Sequence, residues 1–105
     1  MQSAHSTLLE VNAMVSKDKP QSIHFVLTQG IVDAVSIEEA FEFLERHLDG
    51  DWGDIDSVDR QINEQSIARG VQNILSRYTT RSGSSVDIVS GYRRITMRLS
   101  HELVL

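Results

Sequence analysis

Ser36-Ile37-Glu38-Glu39-Ala40-Phe41-Glu42-Phe43-Leu44-Glu45-Arg46-His47-Leu48-Asp49-Gly50-Asp51-Trp52-Gly53-Asp54 decides the fold. Ser36 and Glu39 form an S-x-x-E capping box, each able to satisfy an orphan amide at a helix start. Ile37, Ala40, Phe41, Leu44 and Leu48 recur at helical spacing and predict one apolar stripe. Glu38, Glu39, Glu42 and Glu45 fall mostly outside that stripe. Arg46 and His47 come last, where positive charge suits the helix dipole. Asp49-Gly50 is a natural stop. Two glycines then flank the only tryptophan, Trp52, giving backbone freedom around one large ring. That ring reads as a plug between helices and sheet, or alternatively as an interface anchor.

Working outward, Asp56 or Ser57 caps a second helix that runs to about Arg69, with Gly70 as its stop. Val58 and Ile62 share one face of it, and its polar remainder predicts an exposed helix. On the N-terminal side, Ser22 to Thr28 alternates like a strand. Thr28 then caps a short helical stretch from Ile31 to Val35. Leu8 to Val15 suits a strand or a short helix, and Lys17-Asp18-Lys19-Pro20 is a turn. On the C-terminal side, Val71 to Thr79 is an apolar stretch. Arg81-Ser82-Gly83-Ser84 is a hairpin turn, Ser85 to Ser90 a short strand, and Gly91-Tyr92 a second turn. Arg93 to Leu99 alternates cleanly, placing Arg94 and Arg98 on one sheet face. The chain therefore predicts an α+β fold: two main helices packed on a small antiparallel sheet with a C-terminal β-meander.

At 105 residues the chain is one domain, spanning residues 1–105. It contains no Cys, which excludes disulfides, thiolate metal sites and a Cys nucleophile. No apolar run approaches a membrane span, and no targeting signal is legible, so a cytoplasmic location is expected. The net charge of −5 argues against a generally cationic nucleic-acid binder. It conceals a polarity. Residues 33–64 hold eleven acidic and two basic residues, for −9. Residues 65–105 hold six Arg and two acidic residues, for +4. Either the acidic half pairs with the basic half, or it presents a negative surface to a basic partner.

Motifs for chemistry are sparse. Asp49, Asp51, Asp54, Asp56 and Asp59 offer clustered oxygens, but the spacing fails the EF-hand pattern: Asp54 and Arg60 stand where Gly and Glu belong. No metal or cofactor is expected. His5, His24, His47 and His101 lack a zinc-type partner, and His47 reads as a capping or surface residue. No nucleophile elbow, Walker loop or dinucleotide fingerprint is present, so the chain does not read as an enzyme.

Residues Glu45 to Tyr78 carry a resemblance. Arg46-His47, Gly50-Asp51-Trp52-Gly53-Asp54, Asp59-Arg60, Asn63-Glu64, Gly70, Ile74-Leu75-Ser76 and Tyr78 resemble the small bacterial "plasmid-related protein" family of plasmids, phages and genomic islands. The resemblance covers residues 25–105 and leaves 1–24 as an N-terminal extension. It implies a helix ending in Arg-His, a Gly-Asp-Trp-Gly loop, an acidic helix and a C-terminal hairpin. The family continues from Gly83 into an aromatic-rich strand and an Ile-Thr-Glu-Ala-Asp-Arg-like turn. Here Val86-Asp87-Ile88-Val89 and Ser90-Gly91-Tyr92-Arg93-Arg94 take those places. The resemblance implies no catalytic activity; it implies a mobile-element setting, in which small acidic proteins often antagonise host defence.

Two functional expectations follow. The first is a non-enzymatic inhibitor of anti-CRISPR type. It would bind a basic surface of a host protein or CRISPR effector complex through Glu38, Glu42, Glu45, Asp49, Asp51, Trp52, Asp54 and Asp56. The alternative is an accessory or regulatory module that binds nucleic acid through Arg77, Arg93, Arg94 and Arg98. A homodimer joined through strand edges is a third arrangement.

Overall fold

The computed structural model describes residues 6–13, 21–71 and 73–102. Their elements run β1 (Ser6–Ala13), β2 (Gln21–Thr28), α1 (Gln29–Ala34), α2 (Ile37–Leu48), α3 (Ser57–Ala68), β3 (Ile74–Thr79), β4 (Ser85–Gly91) and β5 (Arg94–Leu99). The five strands form one sheet in the order β1-β2-β5-β4-β3. The α+β class holds, but the sheet is mixed rather than antiparallel. β2 lies parallel to β5, with Phe25 opposite Ile95 and Leu27 opposite Met97. The last strand fits between β2 and β4, a long-range pairing with β2 that leaves no local trace. β3, β4 and β5 form the expected meander.

Of the stretch from Leu8 to Val15, residues 8–13 lie in strand β1, which pairs antiparallel with β2, and residues 14 and 15 lie outside the described residues. Residues 6–13 therefore belong to the sheet, and a boundary at residue 24 falls inside β2. The Lys17-Asp18-Lys19-Pro20 turn and His5 lie outside the described residues.

The core gathers Phe25 and Leu27 from β2, Val86 and Ile88 from β4, Ile95 and Met97 from β5, and Tyr78 from β3. These pack against Ile31 and Val35 beside α1 and against Ala40, Phe43 and Leu44 of α2. Thr28 caps α1 as expected: its Oγ1 accepts from the Ile31 amide.

Only half of the capping box of α2 forms. Ser36 Oγ accepts from the Glu39 amide at 3.2 Å. The Glu39 carboxylate instead accepts from the Arg81 amide at 2.8 Å, tying the helix start to the β3–β4 hairpin. The stripe is also rotated. Ala40, Phe43, Leu44 and His47 face the core, while Ile37, Phe41 and Leu48 lie at the surface. Tertiary packing places Phe43 against Tyr78, stacked at 4.9 Å between ring centroids, and this turns the helix.

α2 ends as its sequence predicts. Gly50, at φ 83, donates to the His47 carbonyl, and Asp51 donates to the Arg46 carbonyl. This pair of bonds is a Schellman stop. Gly70 closes α3 in the same way, through Gly70 to Ile67 and Val71 to Ser66.

Candidate functional site

The residues from α2 to Asp56 hold the predicted partner-binding set, and the structure splits it into two parts. Glu38, Glu42, Glu45 and Asp49 follow one another at spacings of four, three and four, so they form one line along the outer side of α2. All four are exposed. Glu42 meets Arg81 at 3.3 Å, an ion pair with both side chains mostly in solvent. Among the described residues, this is the only ion pair that joins the acidic segment to the basic one.

Asp51, Trp52, Asp54 and Asp56 form the second part, and they are largely spent on structure. The chain from Trp52 to Asp54 runs beside β3 as a short parallel bridge. Arg77 donates its amide to the Trp52 carbonyl at 3.0 Å, and the Asp54 amide donates to the Arg77 carbonyl at 2.7 Å. Gly53 makes this approach feasible. A Cβ there would stand 2.1 Å from the Arg77 carbonyl oxygen, and φ is 71.

Trp52 is buried, with the Arg60 guanidinium 5.7 Å above its ring. It therefore fills the gap beside the sheet and presents no ring to a partner. Asp51 pairs with Arg46 at 2.7 Å, and the guanidinium pulls its carboxyl below the ordinary range. The same Arg46 lies 4.6 Å above the Tyr78 ring, and the Tyr78 hydroxyl donates to the Asp51 carbonyl. Asp56 caps α3 by accepting from the Asp59 amide.

Asn63 completes the seal on β3. This buried side chain bonds both backbone groups of Leu75. Leu75 and Arg77 alternate along the outer edge of β3, so the loop and Asn63 together occupy that edge. A second copy pairing with β3 at Leu75 and Arg77 would have to displace Asn63 and the loop.

The four arginines of the alternative reading do not act as one surface. Asp87 is 1% exposed on the sheet face opposite the core. Arg77 donates to it through Nε at 2.7 Å and Nη2 at 3.0 Å, and Ser100 through Oγ at 2.7 Å. Arg98 adds its charge at 3.6 Å. Burial raises the Asp87 pKa, but these donors more than offset it and hold the carboxyl below its ordinary range. Arg77 and Arg98 are thus committed internally. Arg93 and Arg94 remain exposed at the β4–β5 turn beside Tyr92, which is 81% exposed.

No family model, curated protein or solved structure matches the chain.

His47 corrects a further expectation: it is buried rather than at the surface. Its Nδ1 lies 2.6 Å from Ser76 Oγ and its Nε2 lies 2.5 Å from Ser90 Oγ. A neutral imidazole needs one donor and one acceptor, and two hydroxyls supply both. Burial lowers its pKa from 6.5 to about 4, so the ring is neutral at pH 7. Among the described residues no carboxylate bonds to it, and Ser76 is sealed from solvent. The sequence did hold a signal for it. Ser76 and Ser90 occupy inward positions in Ile74-Ser76-Tyr78 and Val86-Ile88-Ser90, where a hydroxyl needs a buried partner. Among the described residues, no cluster of three His, Asp or Glu could hold a metal ion, and no helix is long and apolar enough to cross a membrane.

Proposed function

We propose that the protein is a non-enzymatic binding protein whose α2 face occupies a basic surface of a host macromolecule. The observation that carries this reading is the fate of the charges. Glu38, Glu42, Glu45 and Asp49 stand in an exposed line, and the chain's own arginines mostly do not meet them. The basic half spends Arg77 and Arg98 on Asp87 instead. Unneutralised carboxylates in a row attract cationic surfaces and speed encounter.

The resemblance to mobile-element proteins narrows the partner to a host defence complex, and the concrete form is an anti-CRISPR inhibitor acting in the cytoplasm. It would cover a basic surface that the effector complex uses for nucleic acid. The test is a pull-down with purified CRISPR effector complexes, alongside interference measured on expression. Glu38→Lys, Glu42→Lys and Glu45→Lys together should abolish retention and its salt dependence while preserving the fold. A wild-type chain that retains no complex and relieves no interference overturns the proposal. The nucleic-acid reading loses support because two of its four arginines are tied to Asp87. A shift assay with DNA or RNA across a salt series separates the two: the inhibitor reading requires no direct binding.

A further inference from the structure

Beside its acidic line, α2 carries an apolar ridge. Ile37, Phe41 and Leu48 are 49%, 44% and 62% exposed, and the buried Leu44 roots the ridge in the core. Their spacing of four, three and four is that of a coiled-coil seam. Glu38 and Glu45 each follow a seam residue and flank it on the solvent side. Ala40 and His47 occupy the other flank and are buried in the chain's own core. One side of the seam is therefore closed, and the open side is negative.

We propose that this ridge binds an amphipathic helix of the partner, with Lys or Arg along the edge that meets Glu38 and Glu45. The inference rests on the acidic-face reading and specifies the partner element at that face. A helix in this position buries the three exposed apolar side chains and pairs the carboxylates at the rim, as helix-in-groove recognition requires. The 12 residues of α2 give a contact about 18 Å long, close to three turns. A second copy of the chain fits poorly. An antiparallel α2 pair would set Glu38 and Glu45 of one chain against the same carboxylates of the other.

The probe is a capped synthetic helix of four turns, with Leu at four-three-four spacing and Lys along one flank. Its control has the same composition with the Leu positions scrambled. Fluorescence anisotropy against the full chain should show the patterned peptide binding at least about tenfold tighter than the control. Ile37→Ser with Leu48→Ser should remove most of that difference, because both side chains are exposed and the fold does not need them. Glu38→Lys with Glu45→Lys should lose the Lys-flanked peptide and gain a Glu-flanked one. Circular dichroism and thermal melting establish that each variant is folded. Equal binding of patterned and scrambled peptides overturns the inference, as does an unchanged Ile37→Ser, Leu48→Ser variant. The two readings fail separately. If the three Glu→Lys changes leave the host complex bound, the acidic face is wrong. If only the serine pair leaves it bound as tightly as wild type, the ridge alone is wrong.

Discussion

Asn63 bonds Leu75 as a neighbouring strand would: its Nδ2 donates to the Leu75 carbonyl at 2.8 Å, and its Oδ1 accepts from the Leu75 amide at 3.0 Å. A side-chain amide has the same donor and acceptor as a peptide unit. One residue of a helix thereby covers the sheet edge at Leu75, and it is the only buried residue of that helix.

Asn63→Ala should therefore destabilise the protein by about 2 kcal/mol, from two lost bonds and a cavity beside a strand edge. Asn63→Asp should also destabilise, because it removes the donor and buries a charge. Urea denaturation measures both. A change under about 0.5 kcal/mol would mean that α3 does not depend on this contact.

Gly53 and Gly70 both have positive φ, at 71 and 72, yet they should respond differently to alanine. At Gly70 a Cβ meets nothing within 4 Å, so Gly70→Ala should cost only the left-handed backbone term, about 1 kcal/mol. At Gly53 a Cβ would collide with the Arg77 carbonyl and the Tyr78 ring. Gly53→Ala should cost about 3 kcal/mol or more and release the loop from β3. Hydrogen exchange of the Arg77 amide reports that release directly.

His47 predicts a stability slope in mild acid. Its pKa is about 4 when folded and 6.5 when unfolded, so the unfolded chain binds the proton first as pH falls. Stability is thus full above pH 6.5, falls between 6.5 and 4, and loses about 3 kcal/mol across that window. Asp87 and Glu102 are held below their ordinary values of 3.8 and 4.5, so their contributions fade only below that range. Urea midpoints from pH 7.5 to 4.5 should show the slope in the wild type and lose most of it in His47→Gln. A flat wild-type profile would show that the ring is not held neutral.

Asp87→Asn should leave two guanidinium groups facing a neutral amide. Solvent still reaches Arg77 and Arg98, whose side chains are 38% and 32% exposed, so the cost is about 2 kcal/mol rather than that of a fully buried pair. Thermal melting measures it. The same variant should raise any weak retention on DNA at low salt, since two arginines lose their counterion.

Local chemistry was legible in residue order. The Ser36 and Thr28 caps, the glycine stops at Gly50 and Gly70, the Gly83 turn and the alternation of Arg94 to Leu99 all act within a few residues. The charge polarity was legible too, because it needs only counting. Two features were not. The rotation of α2 follows from Phe43 stacking on Tyr78, two residues far apart in the chain. The destination of the Glu39 carboxylate depends on where the hairpin amide of Arg81 arrives.

By itself, then, the sequence determined where helices begin and end, which strands alternate, and that one half is acidic and the other basic. The tertiary structure decided which charges meet. Asp87, inside the basic half, draws Arg77 and Arg98, because cross-strand neighbours on one sheet face lie close enough to bond. That pairing leaves most carboxylates of α2 without a basic partner, Glu42 on Arg81 being the exception among the described residues. The tertiary structure also left Ile37, Phe41 and Leu48 largely at the surface, because the sheet offered its contact to Phe43 instead.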